Sequence, residues 1–206
     1  LCALAVYVLL SGMQLTPRAA IRMGEQYYGI YEPTHVVTVQ RMRVGGRSCR
    51  VYLTAGENTL YCGAAQLTPS GWDCIYMGEA IACTDGESVH AGSWCPSALN
   101  LIWGQELLFG RVDDPDAALL SIEEWGGGDW TQPAAENEGL RKLRTVSVEE
   151  FIEDGGYRYF LLDAREREEN AESYAADNGV MYITGYDTSR REILRCKAVI
   201  GENGLL

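Results

Sequence analysis

Thiols and imidazoles carry the most versatile chemistry available to side chains, and this chain holds seven of the first and two of the second. The cysteines are Cys2, Cys49, Cys62, Cys74, Cys83, Cys95 and Cys196, and four of them fall between residues 62 and 95 at gaps of 12, 9 and 12. Structural zinc sites use ligands in pairs roughly two to four residues apart, and this spacing offers none. In an oxidising compartment, disulfides among Cys62, Cys74, Cys83 and Cys95 would staple a segment with a thin core; four cysteines allow three pairings, and spacing chooses none of them. The other reading is that they are small, reduced, buried residues, as Cys49 is by its place in an alternating strand. An odd count leaves at least one thiol free in either case.

His90 precedes Cys95 by five residues in His90-Ala91-Gly92-Ser93-Trp94-Cys95-Pro96. A thiol paired with an imidazole ionises and becomes a nucleophile. A thiol-dependent enzyme using Cys95 with His90 or His35 is therefore one alternative. Against it, cysteine hydrolases take their base from a distant segment, and Trp94-Cys95-Pro96 lacks the second cysteine of a redox pair; the expected roles are a structural cysteine and a solvated loop histidine. Two of the five tryptophans, Trp125 and Trp130, flank Gly126-Gly127-Gly128-Asp129. A loop of that composition buries little, so the two indoles form a possible binding surface, and a glycan-binding module is the second alternative. Asp113, Asp114 and Asp116 lack the glycine and distal glutamate of an EF-hand loop. No catalytic residue, cofactor or metal-ligand set is assigned.

The elements that must position these residues follow from pattern. With 206 residues, 47% apolar and 22% charged, the chain has the composition of a globular protein long enough for a real core. Leu1 to Leu15 reads LCALAVYVLLSGMQL, uncharged and apolar. About 20 such residues are needed to cross a bilayer and roughly 7 to 15 to form a signal-peptide core, so residues 1–15 are expected to be a truncated signal or membrane anchor. Thr16-Pro17 then opens a helix with a hydroxyl cap and a proline whose missing N–H costs nothing. From His35 the period becomes two. In Ser48 to Thr54, Cys49, Val51 and Leu53 share one face and Ser48, Arg50, Tyr52 and Thr54 the other, with Gly45-Gly46 and Gly56-Glu57-Asn58 as turns.

Strands are expected again at Leu107–Val112, around Ala118–Ile122, at Val146–Val148, Tyr157–Leu162 and Val180–Tyr186, with a closing hairpin across Asp187-Thr188-Ser189. Many short strands at this spacing suggest a sandwich. The fold class is thus mostly β, of α+β type: an N-terminal apolar segment and helix, a small antiparallel meander unit over 16–105, then an acidic β-sandwich-like unit over 106–206 with a mobile loop at 126–139. The net charge of -12 divides unevenly, residues 1–110 holding 6 basic and 8 acidic side chains against 11 and 21 beyond. A field of that sign repels nucleic acid, which is excluded as a partner.

The apolar start, the Thr16-Pro17 opening, the meander with Gly71-Trp72, the run Leu108-Phe109-Gly110-Arg111-Val112-Asp113-Asp114-Pro115 and the closing Gly185-Tyr186-Asp187 hairpin carry a resemblance. Over most of its length the chain resembles a group of uncharacterised, singly anchored extracytoplasmic proteins of Gram-positive bacteria. The resemblance implies a location at the outer face of the cell membrane or in secreted form. The expected function is a non-catalytic module that is tethered through its N-terminal segment or secreted, and that binds a protein or cell-envelope component.

Overall fold

A computed structural model describes residues 14–44, 47–84, 86–94, 107–125, 140–163 and 180–199. Among these residues the structure is mostly β, with one α-helix and antiparallel sheets, and the chain divides into two compact units.

The first unit opens with α1 (Pro17–Tyr27). Thr16 caps it as its hydroxyl type predicts, Oγ1 accepting from the Ala19 N–H at 3.1 Å, with Pro17 in the first turn. Its end is equally defined. The Gly29 N–H donates to Gln26 O and the Ile30 N–H to Glu25 O, and this closure needs the left-handed φ of +76° that Gly29 adopts. Four strands follow as a meander: β1 (His35–Val44), β2 (Arg47–Ala55), β3 (Thr59–Thr68) and β4 (Gly71–Ala82), in spatial order β1-β2-β3-β4 with every neighbour antiparallel.

The predicted alternation in β2 is present, but its polar face is covered. Ala20 and Ile21 of α1 pack with Tyr52 of β2, Tyr61 and Ala65 of β3, and Trp72, Cys74 and Ala80 of β4. Tyr52 and Thr54 are therefore buried along with Val51 and Leu53, and the strand is closed on both faces. At the chain's entry to this unit, Gln14 forms a β-bridge with Trp72, the Trp72 N–H donating to Gln14 O at 2.8 Å. The apolar segment expected to be an anchor otherwise lies outside the described residues, among which no helix is long and apolar enough to cross a membrane.

The second unit takes Cys83–Ser93 and the described residues from Leu107 onward. Its strands are β5 (Val89–Trp94), β6 (Leu107–Val112), β7 (Leu119–Trp125), β8 (Leu140–Ser147), β9 (Ile152–Asp154), β10 (Tyr157–Asp163), β11 (Val180–Tyr186) and β12 (Glu192–Val199). They form two four-stranded sheets, β5-β6-β10-β9 and β12-β11-β7-β8. One buried cluster joins Val89, Leu108 and Phe160 of the first sheet to Leu120, Ile122, Val146 and Ile183 of the second.

Three details differ from the pattern reading. β5, grouped by sequence with the preceding meander, hydrogen-bonds to β6 instead. Val148 does not continue its strand: β8 ends at Ser147, and Val148–Glu150 is a single 3-10 turn in which the Ser147 N–H donates to Glu150 Oε2 at 3.0 Å. The short β9 pairs with β10 through Gly155-Gly156, both at positive φ as a two-residue primed turn requires. The closing hairpin is held by Asp187, whose Oδ1 accepts from the Ser189 and Arg191 N–H groups at 2.9 Å. These bonds, with the Arg191 guanidinium, hold the Asp187 carboxyl below the usual carboxylate range. The loop expected at 126–139 lies outside the described residues.

Candidate functional site

Two clusters of polar side chains are built into the described residues, one in each unit. In the first, Arg18, Arg22 and Glu25 occupy helical positions i, i+4 and i+7, which places them on one face of α1. That face looks inward at its Glu25 end. Glu25 is fully buried, and its Oε1 accepts from Arg18 Nη1 at 2.8 Å, Thr34 Oγ1 at 2.8 Å and Thr54 Oγ1 at 2.6 Å, while Oε2 accepts from Arg22 Nη1 at 2.9 Å. Burial by itself pushes this carboxyl up; the donors from Arg18, Thr54, Arg22 and Thr34 outweigh it and hold the group below the usual carboxylate range. The arginines also reach the loop after the helix, Arg18 Nη2 donating to Thr34 O at 3.0 Å and Arg22 Nη2 to Tyr31 O at 2.8 Å. One carboxylate thus joins the helix, the loop and strand β2. No part of it is open to a ligand.

Beside it, Tyr61 is fully buried, its Oη accepting from the Gly78 N–H at 3.2 Å and lying 3.5 Å from Cys74 Sγ. Tyr28 Oη donates to Gly78 O at 2.5 Å, and burial together with the nearby Glu79 pushes its hydroxyl up to about 12. Burial also pushes the Cys62 and Cys74 thiols up, the reverse of what a thiolate nucleophile needs.

The second cluster is centred on His90. The ring is only 1% exposed; Nδ1 lies 3.4 Å from Glu87 Oε2 and Nε2 3.4 Å from Asp113 Oδ2, yet neither nitrogen makes a hydrogen bond. Asp113 is held by a fork from Arg111, Nε to Oδ1 at 2.6 Å and Nη2 to Oδ2 at 2.7 Å. The Arg111 guanidinium stacks 4.5 Å over the Tyr157 ring, and burial pushes the neighbouring Tyr159 hydroxyl up to about 12. An imidazole with an orienting carboxylate is two thirds of a nucleophile–base–acid set. Here the carboxylate is committed to arginine instead, and the imidazole is left between two acids.

The residues singled out from sequence fall as follows. No disulfide is found among the described cysteines, Cys62, Cys74 and Cys83 being present as thiols. Cys74 pairs across the ladder with Ala65, on the face covered by α1, whereas Cys62 adjoins Tyr61 of that face and so points to the other side of the sheet. A bond between them would have to pass through the backbone. Cys83 is buried in the second unit, and Cys95 lies outside the described residues. The solvated loop histidine is corrected, since His90 is a buried residue of β5. His35 is exposed and begins β1. Trp125 ends β7 opposite Leu140, and Trp130 lies outside the described residues. Asp114 is used locally: its Oδ1 accepts from the Asp116 N–H at 2.9 Å, and the Arg158 guanidinium donates to its carbonyl. Among the described residues no group of His, Cys, Asp and Glu could hold a metal ion.

Glu25 was the largest omission of the sequence reading. Its helical spacing with Arg18 and Arg22 was the available signal, but that spacing equally describes a solvated charged face; only Thr34 and Thr54, distant in sequence, turn it into a buried one. No protein-family model, no curated protein and no solved structure matches this chain.

Proposed function

We propose that the chain is a non-catalytic module, tethered to a membrane through its N-terminal apolar segment or secreted, whose β-rich body lies outside the cytoplasm and binds a protein or cell-envelope component. The observation that carries this reading is the bridge between Gln14 and Trp72. It ties the first sheet to the chain at Gln14, immediately after the apolar residues 1–13 in sequence, so few residues separate the body from that segment. The division of the body into a meander and a sandwich-like acidic unit suits a display scaffold. Among the described residues its best-buried carboxylate, Glu25, serves as a brace, and the buried Cys62 and half-buried Cys74 thiols are pushed away from reactivity.

Fractionation of cells expressing the full-length protein tests the reading. The protein is expected in the membrane fraction, resistant to a carbonate wash, or in the culture medium after cleavage. Recovery as a soluble cytoplasmic protein would sink it.

A further inference from the structure

The helix covers only part of its face of the first sheet. The uncovered part displays Arg41, Arg43 and Leu67, with Arg50 and Trp72, both half-buried, at the margin where the helix core ends. Ladder partners share a face, and Arg41 pairs with Arg50, Arg43 with Ser48, Ala65 with Arg50, and Leu67 with Trp72. Arg41 and Arg43 are exposed, Leu67 is 63% exposed, and the Arg50 guanidinium stacks 5.0 Å from the centre of the Trp72 ring.

Two features of this patch point outward. Like charges directly opposite each other in a ladder are destabilising, so Arg41 against Arg50 is an arrangement that a bound anion would relieve. The charge is also out of character with the rest: from Pro33 to Gly56 there are four arginines and no acid, in a chain of net charge -12. A second copy does not fit this patch, because it would bring arginine against arginine. The chain's own path supplies the remaining argument. Gln14 is bridged to Trp72 at the margin of this same face, Leu15 beside it is 67% exposed, and the thirteen residues before Gln14 are uncharged and mainly apolar.

We infer that this face of the first unit docks on an anionic bilayer surface. Arg41, Arg43 and Arg50 meet lipid phosphates, for which a guanidinium fork is well shaped, and the exposed Leu67 enters the headgroup layer beside the half-buried Trp72 ring, whose open edge lies at that level. The inference rests on the tethered reading, since the apolar segment is what brings the face to the bilayer.

Vesicle flotation of the full chain separates the two ideas. Phosphatidylcholine vesicles report the apolar segment, and mixed phosphatidylcholine–phosphatidylglycerol vesicles add the headgroup contact. The expected result is stronger partition into the anionic vesicles, weakened by salt and reduced in Arg41→Gln/Arg43→Gln by about fivefold per arginine, with partition into neutral vesicles unchanged. Both positions are exposed strand residues, so the double variant is expected to fold. Equal partition into both vesicle types, or an anionic preference that survives the double variant, would overturn the inference. Failure to float with neutral vesicles would instead contradict tethering, and the anionic step and its loss in the variant would still decide the headgroup contact.

Discussion

Glu25 and His90 are both buried ionisable residues, and the two units treat them in opposite ways. Glu25 is surrounded by four donors from three parts of the chain, so its charge is compensated and its removal would strand them. His90 sits 3.4 Å from two carboxylates and bonds to neither. The first arrangement holds an architecture together; the second buries an imidazole between two carboxylates without a hydrogen bond to either. Burial of a titratable group alone therefore does not separate a brace from a site, and the partners' geometry does.

Substitutions can break this contrast, and Glu25→Ala is expected to have the largest effect. It leaves two guanidinium groups and two hydroxyls facing a void and should lower stability by about 3 kcal/mol, read from the shift of a urea unfolding curve at neutral pH. Acid should reproduce part of the loss. The carboxyl is held below its ordinary value of 4.5 in the folded state, so its stabilising contribution is complete above that value and disappears as the pH falls through the lower folded one. Glu25→Ala should therefore flatten the acid limb of the stability profile.

Gly24→Ala comes next. Alanine is the better helix former, but a Cβ at this position would approach Tyr61 Oη to 2.2 Å and Cys74 Sγ to 2.8 Å. A loss of about 2 kcal/mol is expected in the thermal unfolding midpoint, and a gain would show that α1 sits further from the sheet than described. Thr16→Ala removes the helix cap and should lower stability by about 1 kcal/mol, with a matching loss of helical circular dichroism on heating. The smallest effect is expected at His90. In His90→Phe the unsatisfied nitrogens disappear and the ring volume stays, so the urea midpoint should stay put or rise by the equivalent of about 1 kcal/mol. A loss as large as that of Glu25→Ala would mean that the imidazole is bonded after all.

Much of the fold was legible because local signals agree with it. Thr16-Pro17 begins the helix, and the runs expected as strands at Ser48–Thr54, Tyr157–Leu162 and Val180–Tyr186 lie in β2, β10 and β11. What failed was decided by partners distant in sequence. The alternation of β2 cannot say that α1 will cover its polar face. Nothing within Val89–Trp94 says that its neighbour is Leu107–Val112 and not the strand before it. The even spacing of Cys62 and Cys74 hid the register shift between Cys62 and Ala64 and the opposite facing of the two thiols. Of the polar clusters, Glu25 was visible only as a charged helix stripe, and His90 only as a neighbour of a thiol.

Sidedness tests the functional account most directly. Intact cells expressing the full chain with an epitope at its C-terminus would be treated with a protease that does not cross the membrane, beside a lysed control. A tethered extracytoplasmic body predicts loss of the epitope from intact cells while a cytoplasmic marker survives. An epitope that is digested only after lysis would contradict it.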